Sequence, residues 1–316
     1  MSRDNAIAAV LALLAEPAYL VKRRKFQEAC GERFAPFLRD LHAEIVKIQS
    51  ANGPLPLYVI DALPARYVRE LDGLPAEQRG MLAKEIVSVQ MDALAERMRQ
   101  SKLPPGIIDQ YGTAVRYMTG SIVSDDDSAY GMVRSSYFDR DLRLAAGLSL
   151  PVGSQIVDMR VWAPATLYRY KGLKANLRAL AFVKLELGGL GPLVRIHVDT
   201  RNLSDFNEAG RNQCYARIAQ LMVARPEIRG MIGTSWFYDP QIQTVSPKLA
   251  YLARVPLQNG AFLRIDGASE IHTRRATARS PTRKRLFEEG HYRPVCATMI
   301  WSRKKMTNWA REQGFL

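Results

Sequence analysis

The hydrophobic period of this 316-residue chain changes near residue 150. Before that point apolar residues recur at helical spacing. Phe26, Phe34, Phe37, Leu38, Leu41, Ile45 and Ile48 form one such series, and Met81, Ile86, Val89, Met91, Leu94 and Met98 another. After it, short runs alternate as strands do. A chain with both regimes in this order predicts an α+β fold: a helical N-terminal half, residues 1–150, then a mixed α/β sheet domain, residues 151–316.

In the first half Asp4 is expected to cap a helix over Ala6–Glu16. Gly31 and Pro36 are expected to break the pattern over 21–50, and Asn52-Gly53-Pro54 and Pro104-Pro105-Gly106 to end helices. Ile107–Met118 reads as a further helix. Asp125-Asp126-Asp127 reads as a polar loop, because its spacing is not that of an EF-hand. In the second half Ser154–Trp162, Leu180–Leu187 and Leu193–Thr200 read as strands, the last two as a hairpin across Gly188-Gly189 and Gly191-Pro192. A helix over Asn207–Ala224 then implies a parallel crossover onto the strand Arg229–Phe237. Ser246-Pro247 and Ser280-Pro281 each start a helix. Ala261–Ile265 and Val295–Trp301 are the last strands, and Met306–Gln313 the last helix.

Composition narrows the class. At 47% hydrophobic and 24% charged residues the chain is globular. Its longest apolar stretch, Ala6–Ala15, is too short to cross a bilayer, so no membrane partner is expected, and Asp4 ahead of it argues against a leader. Cys30, Cys214 and Cys296 are odd in number and far apart, which points to a reducing, cytoplasmic setting rather than a zinc framework. The net charge of +14 lies wholly in residues 151–316, which hold 26 Lys+Arg against 12 Asp+Glu. Such a field favours an anionic partner: a phosphorylated cofactor, a nucleic acid or an acidic carrier protein.

Four constellations could carry chemistry. His197 and Asp199, two apart on a strand, share one face; with His272 or His291 they would resemble a two-histidine, one-carboxylate iron set. The plainer alternative is a strand-end histidine bonded to Asp199. Arg201 and Arg211 flank the start of the helix from Asn207, where free N–H groups suit phosphate, although Asp205 and Glu208 also complement that dipole. His272–Arg285 holds six Lys or Arg and no acid, and its arginine forks suit phosphate too. Trp236, Phe237, Tyr238, Tyr251, Tyr292 and Trp301 could stack on bases, but the strand membership of Trp236 and Trp301 favours core or pocket wall. The chain holds no P-loop, dinucleotide fingerprint or nucleophile elbow.

The order of elements over about residues 154–302 resembles the GNAT acyltransferase superfamily: a strand meander, a strand leading into a helix whose start holds a cofactor pyrophosphate, then a strand, a helix and a final strand pair. Leu286-Phe287-Glu288-Glu289-Gly290-His291-Tyr292 is similar to the Leu-Tyr-Glu-x-x-Gly-Phe run of that family. The Arg/Gln-x-x-Gly-x-Gly/Ala signature is absent, with only Gly210-Arg211 near its place.

The resemblance implies transfer of an acyl group from acyl-CoA, or from an acidic acyl-carrier protein, to a small-molecule amine, without a metal. Asp199, Glu208 or His197 would accept the amine proton, and Tyr251 or Tyr292 would protonate the leaving thiolate. Arg201, Arg211, Arg283 and Arg285 would contact phosphate. Ser235 and Trp236, on the strand edge after Arg229, would hold the pantetheine arm. The rival expectations are an iron-dependent oxygenase built on His197 and Asp199, and a nucleic-acid-binding or modifying protein using the basic half.

Overall fold

The computed structural model describes residues 2–126, 130, 136–164, 167 and 172–316. Asp127, the last of the acidic triplet, lies outside the described residues. The fold is α+β. The chain divides into two compact units, Met1–Val152 with Ile156–Arg160, and Gly153–Gln155 with Val161–Leu316.

The first unit is helical: α1 (Arg3–Leu14), α2 (Pro17–Ser50), α3 (Ala65–Asp72), α4 (Ala76–Asp92), α5 (Leu94–Gln100), α6 (Pro105–Val123) and α7 (Ser136–Ala145). Two strands close it, β1 (Ser149–Pro151) and β2 (Gln155–Val161), paired antiparallel with Leu150 opposite Val157. Within α2 only Gly31 leaves helical geometry, at φ 48°, where glycine is at ease. Pro36 does not break the helix as expected; it falls near the start of the stretch that resumes after Gly31. Helices α2, α4 and α7 pack together, as do α1 and α6, around Ile45, Leu82, Val87, Met91, Ile108 and Val115.

Between α2 and α4 lies an ionic cluster. Arg23 grips Asp92 with both guanidinium nitrogens, which leaves Glu85 buried beside them with one carboxylate oxygen unbonded. Burial, with Asp92 adding to it, pushes the Glu85 carboxyl up to about 7.

The second unit contains α8 (Leu173–Ala181), β3 (Leu193–Val198), α9 (Glu208–Ala224), β4 (Gly230–Ser235), α10 (Ile242–Val245) and α11 (Tyr251–Gln258). It continues with β5 (Phe262–Gly267), α12 (Glu270–Thr277), α13 (Pro281–Glu288), β6 (Cys296–Ser302) and α14 (Arg303–Glu312). Its strands run in the order β3-β4-β6-β5. The β3–β4 pair is parallel, joined through α9, and the other two pairs are antiparallel. The expected hairpin is absent: Leu180–Leu187 is the end of α8 and a π-helical turn over Phe182–Leu187. The residues it buries, Ala179, Val183 and Leu187, recur every four positions, so helical burial wins over the apparent alternation.

Pleating gives the sheet two different faces. Ile232 and Ile300, opposite each other, join Val183, Leu187 and Leu193 on one side, where Phe182 stacks on Phe262 at 4.8 Å. Trp301 points the other way. It is fully buried, donates Nε1–H to the Asn259 carbonyl at 3.0 Å, and meets Tyr215 of α9 and Trp309 of α14 edge-on or tilted at 5.3 Å. Gly230 admits the β6 backbone: a Cβ there would lie 2.6 Å from the Trp301 carbonyl oxygen.

Gly230→Ala is therefore expected to cost about 1–3 kcal/mol, because a rigid backbone neighbour must move. Urea unfolding followed by tryptophan fluorescence reads it, since all four tryptophans belong to the second unit. For the first unit, the folded chain holds the Glu85 proton up to about pH 7, whereas the unfolded chain releases it near its ordinary value of about 4.3. Stability from this group is full at low pH and is lost as pH rises through 7. Far-UV circular dichroism in urea should show the native chain losing stability from pH 5 to pH 8 and Glu85→Gln flattening that slope by about 1–2 kcal/mol, solvent screening included.

Candidate functional site

The parallel pair at the centre of the second unit parts early. Its ladder covers Val194↔Met231 and Arg195↔Ile232 only; Ile196–Val198 and Gly233–Ser235 lie beyond it. Each strand is tied on its outer side instead. The chain leaving β3 is drawn off as the Asp199 N–H donates to the Ser154 carbonyl at 3.0 Å and the Asn202 amide to the Gly153 carbonyl at 3.0 Å. β4 stays on β6 to its end, with Ser235 opposite Ala297 and the Thr234 and Thr298 hydroxyls bonded at 2.8 Å. The result is a fork at the carboxyl ends of two parallel strands, where open α/β sheets place their ligands.

On the α9 side of the fork sits a buried cation. Arg211, in the first turn of α9, is 3% exposed, and no carboxylate lies within ion-pair distance among the described residues. Its guanidinium donates to the Tyr238 hydroxyl at 3.1 Å and covers the Tyr215 ring at 4.7 Å, while its Nε–H has no acceptor. Burial works against the charge, but the facing oxygens of Tyr215 and Tyr238 outweigh it, so Arg211 stays protonated. Tyr238 reaches the fork itself: a Cβ on Gly233 would lie 2.7 Å from its hydroxyl and 3.0 Å from Ile196. Gly233 thus makes room for a phenol against the backbone of β4.

Tyr251, first residue of α11, is buried near the same arginine, and its hydroxyl makes no hydrogen bond. Burial holds its proton more firmly than usual, and Arg211 opposes that only in part. Its hydroxyl thus keeps its proton and has no hydrogen-bond partner.

The remaining candidates separate into three places. His197 is half-buried and, by strand alternation, on the face opposite Ile196. Asp199 is buried just past β3 and takes the Arg201 N–H at 3.1 Å, with the Arg201 Nε 3.6 Å away. Glu208 is exposed at the start of α9 and pairs with Arg254 at 2.7 Å, while the Asn207 side chain caps α9 by accepting from the Gly210 N–H. A second cluster gathers Trp236, Tyr292 and Arg283. Arg283 lies over the Trp236 ring at 4.7 Å and donates to the Ala276 carbonyl and to Ser246 Oγ, and burial pushes the Tyr292 hydroxyl above its ordinary range. Ser235 spends its hydroxyl on the Phe237 N–H. Arg285 is apart from all of these, exposed on α13 and 3.8 Å from Glu289.

Arg211 and Arg283, read as candidate phosphate contacts, are both buried, Arg211 against Tyr238 and Tyr215 and Arg283 against Trp236, Ala276 and Ser246. The aromatics Trp236, Tyr238, Tyr251, Tyr292 and Trp301 are buried, as the favoured reading of them as core or pocket wall expects. No three His, Cys, Asp or Glu side chains converge among the described residues, so His197 and Asp199 have no third ligand there. The sequence reading missed Tyr215 and named Tyr238 only as one of the aromatic set. Tyr215 stands four residues after Arg211 on one helix, a spacing that places them on one face and could have signalled the pair.

No family model matches the chain, and no curated protein matches it. It is similar to solved acyltransferase structures. One, in complex with decanoyl-CoA and teicoplanin, is 13% identical at a TM-score of 0.37, and 89% of this chain and 99% of that chain are covered. Another, a mutant acyltransferase in complex with octanoyl-CoA, is 12% identical at a TM-score of 0.36 with the same coverage.

Arg211→Met tests whether the cation serves stability or the site. A buried charge without a counter-ion is costly, and replacing it by an apolar side chain of similar shape is often neutral or stabilising by about 1–4 kcal/mol. The thermal midpoint is expected to hold or rise, while ligand binding at the fork falls. A collapse of the fold would show the arginine to be structural.

Proposed function

We propose that this chain transfers an acyl group from an acyl-CoA thioester to the amine of a small molecule. The observation that carries the reading is the fork, a parallel pair that parts after two residue pairs while β4 keeps its other edge on β6. A strand edge outside its ladder receives an extended amide chain by main-chain hydrogen bonds. The pantetheine arm of CoA is such a chain, and a carrier protein would present the same arm. The order strand, α9, strand with a terminal antiparallel pair, β5 and β6, agrees with the resemblance to the GNAT superfamily.

In this reading the thioester carbonyl sits at the fork near Tyr238. The amine nitrogen attacks the carbonyl carbon, and the carbon–sulfur bond breaks. Asp199 or His197, at the end of β3, takes the proton the nitrogen sheds. The sulfur leaves as a thiolate and takes a proton from Tyr251, and Arg211 favours the negative charge that passes through the site. Arg201, at the mouth, is the phosphate contact. Burial of all three free thiols, Cys30, Cys214 and Cys296, suits the cytoplasm.

Binding and turnover test this separately. With octanoyl-CoA or decanoyl-CoA at about 100 times its dissociation constant, the chain is expected to gain about 2.7 kcal/mol against thermal unfolding. Absence of any shift with short or long thioesters contradicts the proposal. Given an amine acceptor, Tyr251→Phe is expected to lower kcat by roughly 10²-fold or more with little change in KM, the mark of a lost proton donor.

A further inference from the structure

A cavity of about 450 Å³ opens at the far end of β4 from the fork, among the end of α9, the segment before β4 and the first turns of α14. It falls in the size range of small-molecule sites. Its lining brings together Arg229, Arg303, Lys304 and Arg311 against two carboxylates, Glu186 and Glu227. Glu227 is held by Arg225 at 2.6 Å. Two of the cations build the wall. Arg229 donates to the carbonyls of Leu187, Gly188 and Gly191, and Arg303 to the carbonyl of Pro226 at 3.2 Å. Lys304 and Arg311 are exposed and make no ion pair among the described residues; Arg311 touches only Asn308, at 3.1 Å.

The local sequence breaks a rule here. The first turn of α14 reads Arg303-Lys304-Lys305 with no acid, which sets positive charge at the positive end of a helix. Lys305 lays its stem along Gly260, away from the cavity lining, but Arg303 and Lys304 remain in it. The four cations of the lining exceed its two carboxylates, and Lys304 and Arg311 make no ion pair among the described residues, which leaves charge for a ligand to balance. Concavity favours a compact ligand over a protein surface, and guanidinium forks favour phosphate oxygens.

We propose that this cavity binds a small phosphate-bearing anion. Its site lies roughly 20 Å from the fork, the length of the six-residue strand β4. It stands whether or not the fork binds a thioester.

Calorimetric titration of the full chain with inorganic pyrophosphate at low salt tests it. Lys304→Gln with Arg311→Gln is expected to weaken binding at least about tenfold, the loss of two charge-assisted contacts. The control pair Arg274→Gln with Arg275→Gln, exposed cations on α12, is expected to leave binding unchanged. Equal weakening by both pairs would mean general attraction to a basic surface and would overturn the site, as would no heat at millimolar pyrophosphate. If the first pair fails to fold, hydrogen exchange of the native chain decides. Pyrophosphate is expected to slow exchange across residues 302–311, and unchanged exchange there overturns the proposal.

Discussion

Arg211 takes a full positive charge into the interior of the second unit, where phenols alone receive it. Burying an ion without a counter-ion is among the most expensive things a fold does. Here the cost is reduced by the Tyr238 hydroxyl and the face of the Tyr215 ring, and Tyr251 completes the enclosure without bonding. Much of the local architecture follows from this placement. Gly233 has no side chain because the Tyr238 hydroxyl lies where a Cβ would be. Gly210 has none because the Asp205 carbonyl oxygen presses on the turn that brings Arg211 inward. A charge kept unpaired in this way interacts most favourably with whatever negative charge next enters the fork.

The fork and the cation depend on each other. β3 and β4 part because each is tied outward, one to Gly153 and Ser154 and the other to β6. Arg211 also keeps the phenols polarised at a point where the sheet offers backbone groups outside its ladder. Geometry and electrostatics thus involve the same few residues, and the proposed function places its site on them.

The helical first half and the α9 crossover were legible in the sequence because long amphipathic patterns and glycine or proline breaks are local signals. The other strands of the second half were legible as short alternating runs, but their order in the sheet was not, because pairing is set by contacts far apart in sequence. Leu180–Leu187 was not, since its apolar residues fit either period and only the burial of Ala179, Val183 and Leu187 decides between them. At the site, Tyr251 and Arg211 were picked out by type and place, but their surroundings were hidden. Nothing local says that an arginine one turn into a helix points inward, or that Tyr238 folds back onto Gly233 of the strand it has just left. Arg283 misled for a related reason: in a run of six cations, one is enclosed with Trp236 while its neighbours face solvent.

Hydrogen exchange of the fork on addition of decanoyl-CoA tests the central claim most directly. The account predicts slowed exchange in the segments 193–198 and 230–238, where the arm would meet the strand edges, with the helices of the first unit unaffected. Unchanged exchange in both segments under saturating thioester would contradict it.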